Sequence, residues 1–199
     1  SFLLPINGGE AASLIVALLL GLALPITALQ ILWVNLVSSV VLAMGLAFEP
    51  AEADVMQKPP RRSGESLLDA FLVWRIVLVS LLFLGGIFAS FQWAMHAGLG
   101  EAAARTLAVN TLVAMEVFYL FSVRYLDSPS LTLRGVLGTP AVWVVIGLIV
   151  LLQWLFTYSQ FMQSLFSTVP LSLPVLLLAP LAGVAVLLVL ELEKRVRRL

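Results

Sequence analysis

Residues 29–50 read LQILWVNLVSSVVLAMGLAFEP, an apolar run long enough to cross a bilayer but interrupted by Asn35, Ser38 and Ser39. Positions i, i+3 and i+4 of a helix stack on one face, so these three polar groups form a single patch while Ile31, Leu32, Val40 and Val41 point elsewhere. A face turned to lipid offers such a patch no partner. The preceding run, Phe2 to Leu22, carries Asn7 and Glu10 at the i, i+3 spacing. Gly21 and Pro25 bracket a short connection, and a turn near Leu22 and Ala23 sets Glu10 level with Asn35 and Asn7 level with Ser38. The pattern predicts a helical hairpin with a polar site between its arms.

The rest of the chain has the composition this hairpin requires. Of 199 residues, 61% are hydrophobic and 11% charged, against about a quarter charged in an ordinary soluble domain. That balance predicts an integral membrane protein. The absence of cysteine excludes disulfides and thiolate metal sites. The chain opens at Ser1 without a methionine and lacks the basic flank and small-residue cleavage site of a signal peptide, so it is read as a fragment of a larger protein.

Hydropathy marks six spans, approximately 2–22, 28–48, 71–95, 106–126, 140–158 and 173–190, each near the roughly 20 residues that cross the hydrocarbon. The expected fold is all-α, a six-helix transmembrane bundle forming one membrane domain over residues 1–199. Between the second and third spans, residues 49–69 are rich in proline and charge and form an aqueous loop, with Pro59-Pro60 followed by Arg61-Arg62. In a six-span meander, ten of the eleven basic residues fall on one side, with Arg105 alone on the other. The positive-inside rule makes that side cytoplasmic, so the loop at 49–69 and both termini are expected there. Trp33, Trp93, Trp143, Trp154 and Tyr158 lie near span ends and serve as interface anchors or packing residues. Pro174 and Pro180 are expected to start or bend the last helix.

Only two of the eleven acidic residues, Glu10 and Glu116, sit well inside predicted spans. A carboxylate at mid-bilayer costs on the order of 2.5–3.5 kcal/mol to insert, so it faces protein or an aqueous cavity. One reading is a protonated carboxyl hydrogen-bonded between helices. The other is an ion or proton ligand, supported at Glu10 by Asn7, Asn35, Ser38 and Ser39, because hard cations take oxygen ligands. Asn110 and Thr111 read as groups hydrogen-bonded between helices, and His96 as solvated. No nucleotide-binding glycine loop or Ser/His arrangement is present, and nucleic acid is not an expected partner. The chain alone is expected to catalyse nothing.

Two motifs carry a resemblance. Asn7-Gly8-Gly9-Glu10 fits an Asn-x-x-Glu element, and Leu29-Gln30-Ile31-Leu32-Trp33-Val34-Asn35-Leu36-Val37-Ser38-Ser39 fits Leu-x-x-Leu-Trp-x-Asn-Leu-Val-Thr-Asp. In this order and separation they resemble the fifth and sixth membrane helices of P-type cation-transporting ATPases of the calcium-pump-like and sodium/potassium-pump-like branch. Glu49 to Arg61 looks like the loop after the sixth helix that touches the phosphorylation domain. The likeness covers essentially the whole chain, as the last six helices of such a pump. It implies cation ligation by Asn7 and Glu10, by Asn35 and Ser38, and by Glu116 from the eighth helix, with Ser39 standing where calcium pumps carry Asp. That departure removes an anionic ligand.

By the same resemblance, the transported cation, calcium among the candidates, is the substrate, while ATP and Mg²⁺ belong to domains outside this chain. Its partners would be the lipid bilayer and the pump's own N-terminal helices and cytoplasmic catalytic domains. The expected location is the plasma membrane of a bacterium, in a multi-pass topology. Two rival readings are a non-catalytic membrane scaffold derived from a degenerate pump, and an ATP-independent channel or secondary carrier.

Overall fold

A computed structural model describes residues 2–47, 70–124 and 140–197; the loop at 49–69 and the residues at 125–139 lie outside the described residues. The described residues form helices and connections, with no strand among them. In chain order the helices are α1 (Leu3–Leu19), α2 (Ala28–Trp33), a π-helical turn (Val34–Ser39), α3 (Val40–Ala47), α4 (Ala70–His96), α5 (Glu101–Arg124), α6 (Pro140–Tyr158), α7 (Gln160–Phe166), α8 (Leu173–Leu176) and α9 (Leu178–Arg197). Among the described residues, four helical stretches are long and apolar enough to cross a membrane: Phe71–His96, Glu101–Val123, Pro140–Tyr158 and Leu173–Val196. The apolar helices at the start of the chain, Leu3–Leu19 and Ala28–Leu42, are shorter. Leu18, Leu32, Leu81, Val144 and Leu181 are among many large apolar side chains left exposed, as lipid-facing positions should be.

Helix α5 is the axis of the bundle. Its membrane-length window is 72% buried, against 22–28% for the other three long helices, and it packs against α4 and α9 and touches the π turn. Without a hydrophobic drive between helices in lipid, association depends on close fit, and small residues permit it. Gly9 of α1 lies so near α4 that a Cβ there would meet the Phe83 Cβ at 2.6 Å. The Ser80 hydroxyl completes this contact by donating to the Pro5 carbonyl at 2.9 Å.

One end of the bundle gathers three connections. Helix α1 stops because Gly21 takes a left-handed φ of +61°, which lets Leu22 N–H reach the Ala17 carbonyl (2.8 Å) and Gly21 N–H the Leu18 carbonyl (3.3 Å). Thr27 then caps α2: its hydroxyl accepts from Gln30 N–H (3.3 Å), and the Gln30 side chain accepts from Thr27 N–H (3.1 Å). The same Gln30, fully buried, donates through Nε2 to the Phe166 carbonyl at 3.0 Å, tying α2 to α7. Arg105 Nε donates to the Leu24 carbonyl at 2.9 Å, and Val169 N–H donates to Thr106 Oγ1 at 3.1 Å. Trp33 stacks on Phe156 at 5.6 Å and meets Phe166 at 5.2 Å, so it is a packing residue. We call this the turn end, and the opposite end, bordering residues 48–69 and 125–139, the loop end.

The last span is broken. Pro174 sits in the first turn of α8, and the proline nitrogen of Pro180 cannot donate to the Leu176 carbonyl. The helix therefore interrupts at Leu177 and restarts at Leu178.

Candidate cation site

The two arms of the first hairpin meet at a pair of polar side chains. Asn35, in the π turn, donates from Nδ2 to Oε2 of Glu10 on α1 at 2.8 Å. Glu10 is only 3% exposed, and its Oε1 is buried with no hydrogen-bond partner among the described groups. A buried carboxylate oxygen left open is costly unless something compensates it. Glu10 Oε1 and the Asn35 side-chain carbonyl are hard oxygen donors of the kind that hold a cation. Asn35 alone cannot neutralise the carboxylate.

Local structure explains why these two groups meet. Gly8 and Gly9 turn one face of α1 against Ser80 and Phe83 of α4, which leaves Glu10, one residue on, facing the neighbouring arm. The Ser13 hydroxyl donates to the Glu10 main-chain carbonyl at 2.7 Å, satisfying the other buried polar side chain of α1 within its own helix. On the other arm, the π turn holds one more residue per turn than an α-helix and so changes which residues face α1. Such turns recur at functional sites. Its flanks are fixed by the Thr27 cap and the Trp33 stack on one side and by Leu42, fully buried, on the other.

The other sequence candidates fall differently. Asn7 shares the hairpin arm with Glu10 but is exposed. Ser38 and Ser39 complete the π turn, and their side chains lie outside the described residues. Glu116 is fully buried on α5, whose neighbours Met115 and Phe118 pack on Gly86 of α4 and Gly183 of α9. Helix α5 also touches the π turn that carries Asn35. No group of three His, Cys, Asp or Glu side chains that could hold a metal ion occurs among the described residues, so a site here draws on neutral oxygens as well as carboxylates. Asn110 does bond between helices, donating to Thr157 Oγ1 at 3.1 Å, whereas the buried Thr111 hydroxyl has no such partner among the described groups. His96 is exposed.

Comparison with known proteins places the chain in a family. The profile of the family described as "Cation transporting ATPase, C-terminus" matches residues 23–196. The chain belongs to the C-terminal region of the P-type cation-transporting ATPases. It is 38% identical over 174 residues to the probable cation-transporting ATPase F of Mycobacterium tuberculosis, covering 86% of this chain and 19% of that protein. It is 37% identical over 197 residues to the cation-transporting ATPase pma1 of Synechocystis, covering 94% of this chain and 22% of the relative. A calcium-transporting ATPase of Bacillus subtilis is 36% identical over 124 residues, 62% of this chain and 14% of that protein. The chain thus spans about a fifth of the length of the first two relatives. With four membrane-length helices among the described residues, this ATPase region is part of a multi-pass membrane protein.

One functional-looking feature escaped the sequence reading. Arg75 and Lys194, counted there only as basic flanks of loops, are 2% and 1% exposed. Both converge on Ser122 at the loop end: Arg75 Nη2 donates to its hydroxyl at 3.0 Å and Lys194 Nζ to its carbonyl at 2.9 Å. Lys194 Nζ also donates to Glu191 Oε1 at 2.7 Å, and Arg75 Nη1 lies 3.7 Å from Glu193 Oε2. The sequence signal was the i, i+3 pair Glu191 and Lys194, which stacks on one face of α9.

Proposed function

We propose that this chain is the membrane part of an ATP-driven cation pump and supplies one side of its intramembrane cation site. The observation that carries the reading is the buried bond between Glu10 and Asn35, which joins two apolar helices through a carboxylate that keeps an open oxygen. In this reading Asn7, Ser38, Ser39 and Glu116 complete the ligand set with groups from the remainder of the pump. The cation is the substrate, and calcium is a candidate because relatives of this chain are named calcium-transporting ATPases. ATP and Mg²⁺ act in domains outside this chain. Residues 49–69 form a cytoplasmic loop coupling the helices to the phosphorylation domain, and six spans in the plasma membrane of a bacterium put both termini on that same side. Transport follows by alternating access: phosphorylation elsewhere moves the helices, alters the spacing of the oxygens, and releases the cation across the membrane.

Glu10→Gln in the full-length protein tests the site, since it keeps shape and hydrogen-bonding capacity while removing the charge. Cation-stimulated ATP hydrolysis should weaken at least about tenfold in apparent cation affinity, equivalent to about 1.4 kcal/mol, with the membrane domain still folded. Ser39→Asp should shift preference toward divalent ions, because each added carboxylate favours the doubly charged cation more strongly. A folded Glu10→Gln protein with the parent's cation affinity and turnover would refute the site.

A further inference from the structure

Helix α2 has six residues, too few to hold a helix without tertiary support, and it leads straight into the π turn that carries Asn35. Such a turn is a rare geometry, so its place depends on what holds its flanks. On the α2 side the holding group is Gln30. Its side chain is fully buried, with Oε1 accepting from Thr27 N–H at 3.1 Å and Nε2 donating to the Phe166 carbonyl at 3.0 Å. A helix cap needs only the first of these bonds. The second leaves the hairpin altogether.

Phe166 is a firm anchor. It ends α7, where Ser167 takes a left-handed φ of +54°, and the last carbonyls of a helix lack partners within it, so this oxygen can accept from another helix. The residues beyond it are fastened to α5 and α6: Thr168 Oγ1 donates to the Phe156 carbonyl at 2.9 Å, Val169 N–H to Thr106 Oγ1 at 3.1 Å, and the Tyr158 hydroxyl to the Leu171 carbonyl at 2.7 Å. Gln30 therefore ties the Asn35 arm to α5 and α6. The other arm has a different support, because Gly8 and Gly9 of α1 are set against Ser80 and Phe83 of α4. Glu10 and Asn35 thus stand on two mounts, and Gln30 fixes one of them.

We propose that Gln30 is a positioning residue of the cation site: through the Phe166 carbonyl it holds the π turn where the Asn35 side chain meets Glu10. The inference rests on the reading of Glu10 and Asn35 as cation ligands. Gln30 lies outside that ligand set and acts through Asn35.

The test follows ATP hydrolysis by the full-length protein against Ca²⁺, Mn²⁺, Na⁺ and K⁺, with the ion that stimulates the parent as the probe. Gln30→Asn keeps the amide but is one methylene too short to reach Phe166. It should raise the half-saturating concentration of that ion roughly five- to tenfold, the scale of one buried hydrogen bond lost, while maximal turnover falls less than about twofold. In an Asn35→Ala background the same change should add less than about twofold, because the group it positions is gone, whereas a general loosening of the bundle multiplies through both. Should Gln30→Asn fail to fold, Gln30→Met is read by the same criteria. A parent stimulated by none of the four ions, or an Asn35→Ala protein with the parent's affinity, would refute the cation site itself and this role with it. With Asn35→Ala impaired, the positioning role alone is overturned by a folded Gln30→Asn that matches the parent, by penalties that multiply in full, or by failure of both Gln30 variants to fold.

Discussion

Two groups of buried titratable side chains, one at the loop end and one in the first hairpin, are treated in opposite ways. At the loop end, Arg75 and Lys194 are set against Glu191 and Glu193, with both cations anchored on Ser122, so opposite charges offset one another across α4, α5 and α9. At the hairpin, Glu10 is met by a neutral amide, and one carboxylate oxygen stays open. Pairing stabilises a fixed arrangement of helices. An open carboxylate contributes nothing to stability until a cation or proton arrives, so its presence points to binding. The same physics of desolvation thus separates a structural cluster from a candidate site.

This contrast can be broken from either side. The largest expected effect is from Lys194→Met, which leaves Glu191 buried without its ammonium partner and should destabilise the domain by about 3–5 kcal/mol. Thermal unfolding of the detergent-solubilised protein measures it, and a loss under about 1 kcal/mol would show that the cluster is not a structural pair. Next, the combined Glu191→Leu and Lys194→Met variant should recover to within about 1–2 kcal/mol of the parent, because removing both charges removes the desolvation cost as well. Failure to recover would mean the pair makes contacts beyond each other that the helices require.

Glu10→Gln should leave thermal stability within about 1 kcal/mol while impairing cation-stimulated turnover, the reverse of the Lys194 pattern. If it unfolded the domain instead, the hairpin carboxylate would belong with the structural cluster. The smallest effect is expected from Thr27→Ala, which deletes one half of the α2 cap at a cost of about 1 kcal/mol. It tests whether the turn end, through Thr27, Gln30 and Phe166, holds the π turn in place. A larger loss of cation affinity than of stability would say that it does.

The all-helical class was legible, and of the six spans expected four are membrane-length helices among the described residues, because hydrocarbon imposes a one-dimensional constraint: backbone polar groups must be satisfied within each span, so length and apolarity mark it. The meeting of Glu10 with Asn35 was legible for a similar reason, since two polar positions counted outward from one short turn must come level in a helical hairpin. The burial of Arg75 and Lys194 was not. Basic residues at span ends look alike whether they snorkel to water or turn inward, and only the approach of α4, α5 and α9 around Ser122 separates the two cases.

Nor does sequence announce the π turn at Val34–Ser39, whose extra residue is accommodated because α2 and α3 are each held by different neighbours. By itself, then, the sequence determined the helices, the membrane and the identity of the polar groups that cross-link the first hairpin, all of which follow from local pattern and solvent. Tertiary structure decided which charges are neutralised, which oxygen of Glu10 stays open, and which carbonyl of α7 receives Gln30. Those outcomes depend on side chains from different helices arriving at the same point, as Arg75 and Ser122 do across 47 residues of sequence, and no local pattern encodes that arrival.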